Sequence, residues 1–429
     1  MGRSQSLDEP LLASAPRGAT IASCAINLAS TCLGTGMLSL PAAFVLAGFG
    51  AGTALCIFTA LLTVASLHLL VTCANRLGGV KSDFYTVCEA ALPGSGRVVD
   101  IAVVVNCTGT AVSYLIVAAD CFTATFGVPR FAVVLASLVV VTPPSLFRTM
   151  DTLKATSTIA VVCMLAIVAL VVLMGFGPSP WLEPCPGKDE VPHGHCQGHV
   201  EPVTRDGLHV FCAIPFFVNA FTCQQNAFIA VGELARPTPA RQTAVVVAAP
   251  VLALALYITV AVCGYLTFGD TTPSNIITAY PSSPPVVAAR CVLGLVVLCN
   301  YPLQAFPTRA SVASLLDSLG GAAAPADDGE GEGALFTRSA RDVRIALAFV
   351  AATGAVALLV TELGAIVSLV GSTASALIGL VTPAVAHLLL ARREAGGTTP
   401  WASPLSGASL VLLAVGAAVL PSHLFCASP

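Results

Sequence analysis

Hydrophobic residues run along this chain in long blocks separated by short polar stretches. Eleven such blocks lie at about 20–46, 49–74, 98–124, 130–147, 153–176, 207–232, 242–268, 286–314, 343–361, 363–390 and 404–422. A helix needs about 20 apolar residues to cross a bilayer. The pattern therefore predicts an all-α integral membrane protein with eleven transmembrane helices. The block at 130–147 is short and ends in Pro143-Pro144, and the ninth and tenth blocks are joined so tightly that Glu362 must sit at the turn.

The first block, TIASCAINLASTCLGTGMLSLPAAFVL, is interrupted at its centre by Gly34-Thr35-Gly36. Two glycines there weaken the helix and free backbone groups that lipid cannot satisfy. Such a break is stable only beside a polar cavity, which is how many secondary transporters build a substrate site. Thr31, Gly34, Thr35, Gly36 and Met37 are therefore candidate substrate-binding residues, with close helix packing as the plainer use of the glycines. The sixth block carries its own polar interruption, Asn219, Thr222, Gln224, Gln225 and Asn226. That many amide and hydroxyl groups in one span need a cavity or a partner. The eighth block holds Asn300-Tyr301-Pro302-Leu303-Gln304, and the tenth holds Gly371-Ser372-Thr373-Ala374-Ser375, which suits packing as well as a site.

Charge orients the array. With the N-terminus in the cytosol, only Arg130, Lys188, Arg205 and Arg290 of the 19 basic residues fall on the outer side. Cytosolic loops carry the excess of Lys and Arg, so eleven crossings with the C-terminus outside fit the asymmetry. Composition agrees: 56% hydrophobic, 10% charged, mean hydropathy +0.88. Soluble domains carry about 25% charged residues, which excludes a soluble enzyme on an anchor. The net charge of -3 says little about partners, and no nucleic-acid partner is expected.

The chain then divides into a cytosolic tail (1–19), helices one to five (20–176), an outer or lumenal loop (177–206), helices six to ten (207–390) and an eleventh helix with a tail (391–429). Residues 316–337 are small, acidic and low in complexity, as in a flexible cytosolic linker. Residues 1–19 are polar and the first apolar block is too long for a signal peptide, so it stays as a membrane helix.

Individual side chains add chemistry. Asp120 lies near the outer end of the third helix, and an acid in a membrane is a functional candidate unless it reaches interfacial water. Glu233 ends the sixth helix beside Arg236 and Arg241, an ion-pairing arrangement, while His68 and His387 read as structural. Cys185 and Cys196 are the two cysteines of the outer loop, and a disulfide between them suits an oxidising compartment. Their loop also holds His193, His195 and His199, a metal-like cluster, but a disulfide would consume the thiol and no metal is expected. The other fourteen cysteines are expected to behave mainly as small hydrophobes.

Met1-Gly2-Arg3-Ser4-Gln5-Ser6 fits a myristoylation pattern, and Asp8-Glu9-Pro10-Leu11-Leu12 looks like an acidic dileucine signal for a lysosome or vacuole. The Asn106 sequon falls inside a helix and should not be glycosylated. No phosphate-binding glycine loop, metalloprotease helix or nucleophile elbow is present, so neither an enzyme nor a nucleotide-driven pump is expected.

These motifs together resemble the amino acid/auxin permease family, which includes vacuolar amino acid transporters and the system A and N glutamine transporters. The resemblance rests on Asn27-Leu28 and Gly34 to Pro41, on Gly109 to Ile116 followed by Asp120, and on Phe221, Cys223, Asn226, Glu233 and Leu234. It rests most specifically on Gly264-Tyr265-Leu266-Thr267-Phe268-Gly269 and on Tyr301-Pro302-Leu303 with Phe306-Pro307 and Arg309. It implies a LeuT-like fold of two inverted five-helix repeats plus one peripheral helix. It also implies transport of a small-molecule amino acid, coupled to protons or sodium and without a further cofactor.

Phe221, Cys223 and Asn226 would shape the side-chain pocket, and Asn27, Ser30, Asn300 and Asp120 would serve ion coupling. Two departures matter. The family's cysteine-histidine pair becomes Cys223-Gln224, and Asn300 stands where sodium-coupled members place a hydroxyl. A vacuolar, lysosomal or plasma membrane location and a monomer are expected. An amino acid sensor signalling to cytosolic partners is the alternative, and a tail of only about twenty residues favours transport.

Overall fold

The computed structural model describes residues 19–78, 84–147, 154–176, 198–204, 206–320, 339–396 and 403–426. The expected disulfide pair Cys185 and Cys196, with His193 and His195, lies outside them, as do the N-terminal signals and most of the acidic linker.

Every expected span falls on helix. The first is α1 (Ile21–Cys32) and α2 (Thr35–Ala47), followed by α3 (Phe49–Arg76), a short α4 (Phe84–Ala91), α5 (Ser95–Phe126), α6 (Arg130–Ser145) and α7 (Lys154–Phe176). The sixth is α8 (Gly207–Ala220) with α9 (Ala227–Gly232), and then comes α10 (Pro239–Phe268). The eighth is α11 (Pro284–Asn300) running into α12 (Pro302–Gly320), and the ninth is α13 (Ala340–Leu359). The tenth is α14 (Leu363–Val370) with α15 (Thr382–Glu394), and the last is α16 (Pro404–Val419) with α17 (Ser422–Phe425). Among the described residues eight helices are long and apolar enough to cross a membrane, and the bent α1–α2 pair makes nine. Arg130–Ser145 and Ala160–Phe176 are shorter apolar helices. The chain is a multi-pass membrane protein.

The breaks have local causes. Thr20 caps α1 by accepting the Ser23 N–H at 3.1 Å. The helix stops at Cys32 because Gly34 leaves helical geometry (φ -128°, ψ -148°), and the axis turns by 57° into α2. In the sixth span α8 ends at Ala220, and Gln224–Asn226 form a single tighter turn before α9. Between α14 and α15 the backbone widens into π-type turns at Gly371–Ser375 and Leu377–Val381. Wide turns of this kind inside helices are frequent at functional sites.

Small residues let the broken spans meet. A Cβ on Gly36 would lie 2.8 Å from Ala220 Cα, and one on Gly371 would lie 2.0 Å from Pro215 O. Neither position accepts a side chain without separating α2 from α8, or the tenth span from α8. Packing is thus one function of Gly36, as the plainer reading had it.

Both faces are closed over the centre. On the cytosolic side Ala19 N–H donates to Glu233 O at 2.8 Å, and Ala235 N–H donates to Ala19 O at 3.1 Å. On the outer side Phe49 and Gly50 N–H donate to Glu201 O and Pro202 O at 2.9 and 2.7 Å. A disulfide joins Cys212, near the outer end of α8, to Cys426 after α17, with Cα atoms 5.5 Å apart. This corrects the view of Cys212 and Cys426 as unpaired. Six expected spans separate the two residues, so both lie on one face, as an outer C-terminus requires.

Candidate functional site

The two breaks face each other across a small polar cavity. Thr31, Cys32, Gly34, Thr35 and Gly36 line one side, and Asn219, Ala220, Thr222 and Gln225 line the other. Asn106, Thr110 and Tyr114 of α5 and Gln304 of α12 close it. It offers about 30 Å³ to the centres of water-sized spheres. One water needs about 10–15 Å³ by that measure, so the cavity holds about two or three waters and no amino acid in this conformation.

Donors and acceptors lie on opposite sides of the cavity. Gly34 caps α2 without a side chain, so no side chain takes the N–H groups of the first turn of α2. These donors sit at the positive end of the helix dipole. The C-terminal ends of α1 and α8 bring carbonyls instead. The Tyr257 hydroxyl from α10 lies between Cys32 O (2.5 Å) and Ala220 O (2.8 Å), tying both breaks together. Its ring packs edge-on against Phe221, with centroids 4.9 Å apart.

The hydroxyls spend their protons on their own helices: Thr31 on Leu28 O at 2.7 Å, Thr110 on Asn106 O at 2.9 Å, Thr222 on Val218 O at 2.6 Å. Their oxygens then face the cavity as acceptors. Ser375, from the widened tenth span, donates to Asn106 Oδ1 (2.9 Å) and approaches Asn219 Oδ1 (3.2 Å). Gln225 Oε1 is buried without a hydrogen-bond partner.

The structure therefore gathers Thr31, Gly34, Thr35 and Gly36 of the expected substrate set. Met37, Phe221 and Cys223 are fully buried and do not line the cavity, and neither does Asn226. Gln224, at the departure from the family pair, turns away: its Oε1 accepts the Cys223 N–H at 2.9 Å and its Nε2 donates to Ser66 Oγ at 3.3 Å.

The four expected ion-coupling residues are not assembled. Ser30 donates to Asn27 O within α1, and Asn300 is buried at the junction of α11 and α12. Asp120 pairs with Arg130 and accepts from Asn275 Nδ2 at 3.2 Å. It lies six residues, about 9 Å along the axis, beyond the cavity-lining Tyr114. Its carboxylate thus faces the outer cluster rather than the cavity. Asn106 is buried inside α5, as its sequon position predicts.

Residues 17–425 match the family described as "Transmembrane amino acid transporter protein". This chain belongs to that family. The resemblance to amino acid permeases read from Gly34 to Pro41 and from Tyr301-Pro302-Leu303 is therefore correct. Vacuolar amino acid transporter 5 of Schizosaccharomyces pombe is 29% identical over 402 residues, covering 91% of this chain and 90% of the relative. Sodium-coupled neutral amino acid transporter 7 of Homo sapiens is 26% identical over 368 residues, covering 81% and 75%. Among solved structures, a manganese transporter of Eremococcus coleocola superposes with a TM-score of 0.57 at 14% identity, over 96% of this chain and 88% of that one. That likeness concerns the fold alone: an all-helical, LeuT-like arrangement in which this family member places its first and sixth spans, both broken, against each other.

Proposed function

We propose that this protein moves amino acids across its membrane by secondary active transport, the two broken spans opening alternately to either face. The opposed polarity of the cavity carries this reading. N–H groups at the start of α2 suit a carboxylate, and the acceptors near Cys32, Ala220 and Thr31 suit an ammonium group. An ammonium also supplies the proton that Gln225 Oε1 lacks. Among the described residues no acidic or basic side chain lines the cavity, which favours substrates with uncharged side chains. The names of the relatives, vacuolar and neutral amino acid transporters, agree with that class and with a vacuolar or lysosomal membrane.

Alternating access follows from the two closures. Outward opening parts Phe49 and Gly50 from residues 201–202, and inward opening parts Ala19 from Glu233 and Ala235. For coupling we take the proton, because Asp120 is titratable and lies toward the outer face, where an acidic organelle supplies protons. Asn27, Ser30 and Asn300 are the oxygens to test for sodium.

Uptake of labelled amino acids into proteoliposomes decides the matter. An imposed proton gradient should stimulate uptake, and Asp120→Asn should reduce it. Uptake that needs sodium and ignores the proton gradient refutes the proton. Binding without any uptake overturns transport in favour of a sensor.

A further inference from the structure

Away from the central cavity, α5, α12 and α13 enclose an open groove of about 670 Å³. This volume lies within the range of about 300–1,000 Å³ found for ligand pockets. Its walls are apolar, with Val104 of α5, Val312 and Leu316 of α12, and Ala348 and Ala352 of α13. One end is different in kind: Arg341 and Arg344 close it. These residues begin α13 on the cytosolic side, so the arginines sit at headgroup depth. From Arg344 to Ala352 the groove runs about 12 Å toward the hydrocarbon.

The arginines are not equivalent. Arg341 is engaged, donating to Asp317 Oδ1 at 2.8 Å and to Ala313 O at 2.5 Å. Arg344 is exposed, spends only its Nε on Ala340 O of its own helix at 3.1 Å, and is paired with no acid among the described residues. Arg97 does not line the groove but lies next to its cytosolic end, since its Nη2 donates at 3.3 Å to Ser318 O, two residues past the lining Leu316 of α12. It lies seven and eleven residues before Val104 and Thr108, on the same face of α5. Asp100, the acid nearest in sequence to Arg97, is buried in α5, and Glu89, eight residues before Arg97, has both carboxylate oxygens taken by the N–H groups of Gly94 and Gly96. The N-terminal end of α13 adds its positive dipole, which Asp342 in the first turn and the Ser339 cap partly offset.

An apolar groove open to lipid, with two guanidinium groups and a helix N-terminus at its headgroup end, matches one class of ligand. We propose that it is a binding site for an anionic phospholipid, one acyl chain lying between α12 and α13 and the phosphate held by Arg344 and Arg97. Guanidinium binds phosphate through paired N–H donors, and basic pockets between membrane helices on the cytosolic side are suited to such headgroups. The site also touches the transport machinery. Thr308 lines the groove and donates to the backbone oxygen of Gln304, which lines the central cavity one turn away. A bound lipid thus leans on the helix that closes the substrate site.

The test uses the purified full-length protein in phosphatidylcholine nanodiscs doped with a photoreactive phospholipid whose acyl chain carries the label. Phosphatidylserine, phosphatidylinositol 4-phosphate and phosphatidylcholine probes are compared. Anionic probes should crosslink to α12 and α13 and be retained over phosphatidylcholine by at least about fivefold per arginine. Equal retention of the two anionic lipids assigns recognition to the shared phosphodiester, and stronger retention of the inositol lipid assigns it to the added phosphate; both support the site. Arg344→Gln with Arg97→Gln should abolish the preference while leaving thermal stability in detergent unchanged. Ala348→Trp, a lipid-facing change that fills the groove, should remove labelling by all probes. Equal retention of neutral and anionic probes by the wild type, or an undiminished preference in the double variant, overturns the proposal. So does displacement of every phospholipid by a sterol.

Discussion

Tyr257→Phe is the sharpest probe of how the two breaks are held. The substitution keeps the ring, and with it the edge-on contact to Phe221. It removes only the hydroxyl that lies 2.5 Å from Cys32 O and 2.8 Å from Ala220 O. Both carbonyls end helices at the protein centre, where Tyr257 is wholly buried. A hydroxyl has one proton, so one hydrogen bond's worth of satisfaction disappears, and a buried acceptor left unpaired costs about 1–3 kcal/mol. When the cavity opens, water reaches the same carbonyls and the cost vanishes. The closed state therefore loses about 1–3 kcal/mol relative to the open ones, a population shift of about 5- to 150-fold. Cys32 reports it, because it lines the cavity yet is only 4% exposed when closed. Maleimide labelling of Cys32, followed by peptide mass spectrometry, should accelerate by that factor in Tyr257→Phe, and melting temperature in detergent should fall. Unchanged labelling with unchanged melting would refute the bridging role.

Other expectations follow from the same geometry. Gly34→Ala places a Cβ 3.2 Å from Tyr114 Oη, inside the cavity, so substrate affinity measured by scintillation proximity should drop with little change in melting temperature. Gly36→Ala drives against Ala220 Cα at 2.8 Å, so both binding and melting temperature should fall. Cys212→Ser should expose the Cys426 thiol to an impermeant reagent from the outer face, whereas the wild type should label there only after reduction. The Glu89 carboxyl is held below its usual range, first by the Gly94 and Gly96 N–H groups. A lowered folded-state value stabilises the turn above the unfolded carboxylate's pKa and is lost as pH falls through the folded one. At neutral pH, Glu89→Gln should speed amide exchange at Gly94 and Gly96, and the difference from wild type should shrink in acid.

The membrane architecture was readable because hydropathy is a bulk property of long segments, and the break at Gly34-Thr35-Gly36 because two glycines at mid-span have few uses. Half of the cavity wall was readable in principle. Asn106, Thr110 and Tyr114 recur every four residues along α5 and so share a face, a polar stripe at helical spacing that the sequon at Asn106 obscured. Tyr257 gave no comparable signal, since one tyrosine in an apolar helix belongs to packing until its two carbonyl partners are seen. Asp120 looked equally suited to a cavity and to an interface, and only its partner Arg130, from the next helix, settled the orientation. The pairing of Cys212 with Cys426 spans 214 residues, beyond the reach of any spacing rule. The short helix α4 escaped because eight residues carry too little periodicity to stand out between two spans.

That long-range bond makes the second half of the molecule a covalent ring. Residues 212 to 426 leave the outer face, traverse the bilayer and return to close on themselves, and the cytosolic stretch between α12 and α13 is part of the circuit. One proteolytic cut in that stretch opens the ring without releasing a fragment. The nicked protein should migrate as a single species until a reductant is added, and then separate into two pieces. A cut on the cytosolic side thus leaves two pieces that a bond on the opposite face still holds together.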